Sequence, residues 1–126
     1  VKPLGEFVSY GMVAGPDNAS LLHQPSRSIM KALDRAGKKV SDIDLFEINE
    51  AFAAVTMAAM SDLKLDHSKV NIYGGGVSLG HPIGTSGARI VVTLMTAMKN
   101  KNAKYGMAAI CIGGGEALSL IIEKIK

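Results

Sequence analysis

The sequence is short of several residue types, and each shortage removes a class of function. Its 126 residues include a single cysteine, no tryptophan, three tyrosines and three phenylalanines. One cysteine can form neither an internal disulfide nor a cysteine-based zinc cluster, and a lone thiol suits a reducing, cytoplasmic compartment. No stretch approaches the roughly 18 consecutive apolar residues of a membrane-spanning helix, and no basic-then-apolar leader opens the chain. A soluble, unsecreted protein is expected. The 14 basic and 11 acidic residues leave a net charge of only +3, with Lys38, Lys39, Lys99, Lys101, Lys104, Lys124 and Lys126 scattered as on a solvated surface. Almost no aromatic rings interleave with them, so the stacking half of a nucleic-acid site is missing.

What is present is enough for a core: 48% of the residues are hydrophobic, and the length is that of one ordinary domain, taken as 1–126. The chain opens on Val1 rather than methionine and runs almost directly into strand-like sequence, Glu6 to Tyr10. This suggests a fragment or a processed half, although trimming of a methionine before valine leaves the same trace.

After the opening strand, Gly15-Pro16-Asp17-Asn18 is turn chemistry, and Pro25 starts a helix whose apolar positions are Ile29, Leu33 and Ala36 and which Gly37 ends. Asp44 to Ile48 reads as a short buried strand. Asn49 is placed to cap the helix that follows, Glu50 to Leu63, with Phe52, Val55 and Ala59 on one side. Val70 to Tyr73 reads as a third strand running into Gly74-Gly75-Gly76. Thr85 or Ser86 can cap a helix from about Gly87 to Met98, apolar nearly all round and so expected to be covered on both sides. Tyr105 to Ile112 and Leu118 to Glu123 are two last strands, separated by Gly113-Gly114-Gly115 and expected to be neighbours. Strands alternating with helices predict an α/β fold with a mixed, mostly parallel five-stranded sheet, whose functional loops sit at the carboxyl ends of the strands. Asn49, His81 and Cys111 all fall at or just beyond such ends.

Neither glycine loop fits a nucleotide motif. A dinucleotide fingerprint would need glycine where Leu79 and Leu118 stand, and a P-loop would need lysine where His81 stands, before a proline that has no N–H to donate. Glycine backbone can instead approach a ligand closely, and its amides make good oxyanion donors. Pro82 restricts His81 to extended backbone and so stiffens the presentation of the imidazole. Taken alone, a histidine is more often a structural residue than a catalyst, a cysteine more often inert core, and Asn49 most simply a helix cap. His23 and His67 sit in polar loops and carry no assigned role.

Three segments change that balance: Asn49-Glu50-Ala51-Phe52, Gly75 to Arg89 (reading Gly-Gly-Val-Ser-Leu-Gly-His-Pro-Ile-Gly-Thr-Ser-Gly-Ala-Arg), and Cys111-Ile112-Gly113-Gly114-Gly115. In order and spacing they resemble the three C-terminal signatures of the thiolases, and the resemblance spans the whole chain. It implies a thiolase-like C-terminal domain, layered α-β-α, without the family's N-terminal half. The implied activity is that of an acetyl-CoA acetyltransferase or 3-ketoacyl-CoA thiolase of fatty acid metabolism, a homo-oligomer acting on coenzyme A thioesters with no covalently bound cofactor, metal, nucleic acid or membrane. Carried over residue by residue, His81 activates the nucleophilic cysteine and donates to the thioester oxygen, and Cys111 moves the α-proton. Asn49 holds a water that shares the oxyanion duty, and the Gly113 amide serves a second oxyanion hole.

The family's acylated cysteine lies in the N-terminal half, and this chain has only Cys111, so no turnover is expected from it alone. Most coenzyme A contacts also belong to that half, and no residue here is assigned to them. The competing readings are a Cys-His acyltransferase or hydrolase with Cys111 as nucleophile, and a non-catalytic assembly domain. Two departures bear on acyl-chain preference: the 15–25 loop lacks the family's usual glycine-rich stretch, and Glu116 places a charge directly after the third glycine.

Overall fold

The computed structural model describes residues 2–125; Val1 and Lys126, the latter one of the lysines expected at the surface, lie outside them. The element order is β1 (Gly5–Ala14), α1 (Gln24–Ala36), β2 (Leu45–Ile48), α2 (Ala53–Leu63), α3 (Gly76–Leu79), α4 (Ser86–Lys101), β3 (Tyr105–Ile112) and β4 (Glu116–Lys124), with short 3₁₀ turns between some of them. The four strands form one sheet in the order β1-β4-β3-β2.

Side-chain alternation along the strands divides the core in two. Phe46, Ile48, Met107, Ala109 and Ile121 meet α1 and α2 through Ile29, Leu33, Val55 and Ala59. Their sequence neighbours Leu45, Ala108 and Ile122 point the other way and meet Ile90, Leu94 and Met98 of α4. This period of two, with helices on both faces, produces the expected α-β-α layering. Pro25 lies in the first turn of α1 and Gly37 closes it, as the sequence implied.

The sheet itself differs from expectation. It has four strands rather than five, and two of its three pairings, β1 with β4 and β3 with β4, are antiparallel. Only β2 and β3 run parallel. The cause of the reversal is the Gly113-Gly114-Gly115 turn, which folds β4 back along β3 and inserts it beside β1. The expected third strand reduces to one bridge between Phe46 and Val70. Asn71 follows at φ 48°, outside the extended region. Its side chain takes over the ladder, accepting from Ile48 N–H at 2.8 Å and donating to Ile48 C=O at 2.9 Å.

Two helical expectations also change. Phe52 is exposed rather than packed beside Val55 and Ala59. On α4, Ile90, Leu94, Ala97 and Met98 are buried, but Val92 is 66% exposed, so within the described residues the helix is covered on one side only. No helix among the described residues is long and apolar enough to cross a membrane.

A helix and a strand approach closely at Gly11 of β1. A β-carbon there would stand 1.9 Å from the Ser28 carbonyl oxygen and 2.8 Å from the Ala32 nitrogen of α1. Ser9 fixes the same approach by donating its hydroxyl to the Ala32 carbonyl at 2.9 Å. Gly11→Ala would raise stability if strand propensity decided the matter. Because α1 must instead move off the sheet, the expected result is a loss of about 3 kcal/mol, read from the urea unfolding midpoint.

Candidate active site

The parallel pairing of β2 and β3 brings their carboxyl ends side by side. Asn49 is the first residue beyond β2, and its N–H continues the ladder by donating to the Ala109 carbonyl at 2.9 Å. Its side chain is fully buried, yet neither the amide oxygen nor the amide nitrogen has a protein partner. A buried amide with both ends unmatched costs stability unless something outside the chain satisfies it. Nor does it cap α2, contrary to expectation. The helix begins only at Ala53, with Phe52 in the cap position and no side-chain bond there.

Cys111 is the penultimate residue of β3, opposite Ala117 of β4 and partly buried. Burial pushes its thiol above the usual range, opposed only by its own backbone N–H. The His81 ring bonds through Nδ1 to the Ser86 hydroxyl at 2.6 Å. Gly113 opens the turn after β3 with free space where a side chain would be. Glu116 faces solvent at the start of β4, away from the core.

The loop that leads to His81 is clasped to the residue after Asn49. The Glu50 carboxylate accepts from Val77 N–H at 2.9 Å and from the Asn71 side-chain amide at 3.0 Å. The loop lies so close that a β-carbon on Gly75 would stand 2.5 Å from the Glu50 carboxyl carbon, and one on Gly76 2.6 Å from the Glu50 carbonyl oxygen. Glycine is required by contact at Gly76, where the close atom is backbone; at Gly75 a side chain would displace the Glu50 carboxylate. A second tie runs beneath the first: Arg89 of α4 donates to Glu47 of β2 at 2.8 Å. Glu47 points to the α4 face because it stands two residues after Leu45 on the strand, and its side chain is only 2% exposed. Burial pushes its carboxyl from 4.5 to about 7; the hydrogen bond and charge of Arg89 pull it down, and Glu50 adds a push upward.

Asn49 and Cys111 are thus gathered by one parallel ladder, and the His81 loop is fastened to the same edge by Glu50. Sequence reasoning missed the fastenings: Glu47, Glu50, Asn71, and Ser86 as a partner of His81 rather than a cap. One visible signal was Glu47, a lone charge inside the buried run Leu45 to Ile48. Among the described residues, no three His, Cys, Asp or Glu side chains converge as a metal site would need.

The family described as thiolase, C-terminal domain, matches residues 1–124. The chain belongs to the thiolase family. It is 50% identical over 127 residues to a probable acetyl-CoA acetyltransferase of Dictyostelium discoideum, covering 99% of this chain and 30% of that one. With an acetyl-CoA acetyltransferase of Saccharomyces cerevisiae it shares 48% over 126 residues, 99% of this chain and 31% of that one. Among solved thiolase structures, the Bacillus anthracis acetyl-CoA acetyltransferase superposes with a TM-score of 0.95 at 42% identity, over 99% of this chain and 32% of that one. The human mitochondrial 3-ketoacyl-CoA thiolase in complex with CoA gives 0.95 at 38%, with the same coverage of 99% and 32%. The chain therefore spans about a third of the length of these thiolases.

Two measurements test the electrostatics of this thiolase domain. The folded chain holds the Glu47 proton more tightly than the unfolded chain, so this contribution to stability is full below pH 4.5 and is lost as the pH rises through about 7. Within that window the slope reaches about 1.4 kcal/mol per pH unit. Glu47→Gln keeps an acceptor for Arg89 but removes the titration, so its urea stability should be flatter with pH than that of the native chain; an unchanged slope contradicts the assignment. For Cys111, the rate of iodoacetamide alkylation should rise with pH at a midpoint above that of a free cysteine side chain. A midpoint at or below the free value would show that another group pulls the thiol down.

Proposed function

We propose that the chain is the C-terminal catalytic part of an acyl-CoA C-acyltransferase, specifically an acetyl-CoA acetyltransferase. It would make or cleave a 3-ketoacyl-CoA by Claisen chemistry, on coenzyme A thioesters, in the cytoplasm. The observation that carries the reading is the fully buried, unpartnered Asn49 side chain, one strand away from Cys111. An amide held in that condition suits an ordered water that donates to a developing enolate oxygen.

In this reading Cys111 removes the α-proton of an acetyl thioester, and negative charge moves onto the thioester oxygen. His81 and the water on Asn49 stabilise that charge, each donor being worth about 3 kcal/mol in sites of this type. The enolate carbon then attacks an acyl group carried on a cysteine outside this chain. The tetrahedral oxyanion finds the Gly113 amide, and collapse releases the 3-ketoacyl product as the cysteine takes back its proton through His81.

Two features support a division of labour with the remaining two thirds of the enzyme. Cys111 is the only cysteine, and its burial disfavours the thiolate that a base must form. The other part would have to supply both the acylated cysteine and the surroundings that lower the Cys111 thiol. Val92 at 66% exposure and Ile83 at 86% give α4 and its entry loop an apolar face on which that part, or a second copy, can dock.

The test is thiolysis of acetoacetyl-CoA by the purified chain, alone and mixed with the separately expressed N-terminal part of a related acetyl-CoA acetyltransferase. No turnover is expected alone, and turnover on mixing. In the mixture Cys111→Ala should lower the rate about 10²- to 10⁴-fold, the usual weight of a general acid–base group. Turnover by the chain alone, or stable acylation of Cys111 by acetyl-CoA, would overturn the reading; the second outcome would make Cys111 the nucleophile instead.

A further inference from the structure

Among the described residues the His81 ring bonds to one side chain, that of Ser86. Nδ1 lies 2.6 Å from the Ser86 hydroxyl oxygen, and the same oxygen lies 3.1 Å from the Pro82 carbonyl. Ser86 is fully buried at the first position of α4. A hydroxyl has one proton. A carbonyl can only accept, so the 3.1 Å contact is favourable only when the hydroxyl donates to it. With its proton directed to Pro82, the hydroxyl accepts at its other short contact, and Nδ1 is the donor there. The reverse arrangement would set a serine lone pair against the Pro82 oxygen.

We propose that Ser86 is a positioning residue that holds neutral His81 in the Nδ1–H tautomer, through the chain Nδ1–H to Ser86 Oγ–H to Pro82 carbonyl. Nε2 is left with its lone pair. Free histidine in water favours the opposite tautomer, so the serine reverses an intrinsic preference. The consequence rests on the acyl-transfer reading: Nε2 can take the proton of a thiol supplied by the completing part, becoming a donor that faces the thioester oxygen while the Ser86 bond stays intact. The tautomer does not rest on that reading.

The turn around the histidine does not need the hydroxyl. Pro82 C=O also accepts from the backbone N–H of Thr85 at 2.8 Å and of Ser86 at 2.9 Å, so Ser86→Ala should leave the start of α4 in place. The experiment is long-range proton–nitrogen NMR of the imidazole rings in the ¹⁵N-labelled chain, at a pH where they are neutral. His23 and His67 serve as internal references, and the amide spectrum reports the fold. The native chain should show His81 as Nδ1–H. Ser86→Ala should shift it to a majority of Nε2–H, and Ser86→Thr, which keeps the hydroxyl, should restore the native pattern. An Nε2–H ring in the native chain, or a ring unaffected by Ser86→Ala, overturns the proposal. Because the readout is the ring itself, failed thiolysis with a correct tautomer would count against the proposed function and leave Ser86 in its role.

Discussion

The site depends on a parallel ladder four residues long, Leu45 to Ile48 against Gly106 to Ala109. Parallel strands end at the same edge, so this register alone brings the residue after Ile48 close to the end of β3, and with it Asn49 to the side of Cys111. An antiparallel pairing of the same two strands would have sent Asn49 and Cys111 to opposite ends of the sheet. All four residues of β2 are buried, and helices cover both of its faces, as a strand in this position requires.

Around that ladder the protein spends its polar groups on fastening rather than on chemistry. Asn71 substitutes its side chain for a fifth strand, and Glu50 holds the glycine loop by an amide and by close contact. Glu47 and Arg89 tie β2 to α4 from within the core. An ion pair this buried adds little net stability, because desolvation offsets much of the attraction, but removing either partner leaves an uncompensated charge. Its value here is registration: it relates the strand that ends at Ile48, before Asn49, to the helix that begins at Ser86, the partner of His81. The groups proposed for catalysis are left poorly satisfied by the chain itself, with the Asn49 side chain unpartnered and Cys111 discouraged from ionising.

The local structure was legible wherever a residue's own conformational rule decided it. Pro25 and Gly37 marked the limits of α1, the apolar period placed Ile29 and Leu33 in the core, and Tyr105 to Ile112 was read at its observed bounds. Strand direction was not legible, since alternation of strands and helices says nothing about a final glycine turn that reverses the chain. Val70 to Tyr73 carried the composition of a strand, but Asn71 entered the left-handed region and paired through its side chain. Asn49 had the chemistry of a cap and was drawn instead into the ladder with Ala109.

By itself the sequence determined the family and named the residues proposed for the site. Asn49, His81, Cys111 and Gly113 stand within three signatures whose order and spacing identify the family, because spacing along a chain is a covalent fact. Only the tertiary structure decided what those residues can do where they stand. Burial raises the Cys111 thiol, the parallel ladder brings Asn49 to the end of β3 with its amide unmatched, and Ser86 receives the imidazole. Protonation and hydrogen-bond partnership depend on solvent exclusion and on contacts between residues far apart in sequence, and folding alone creates both.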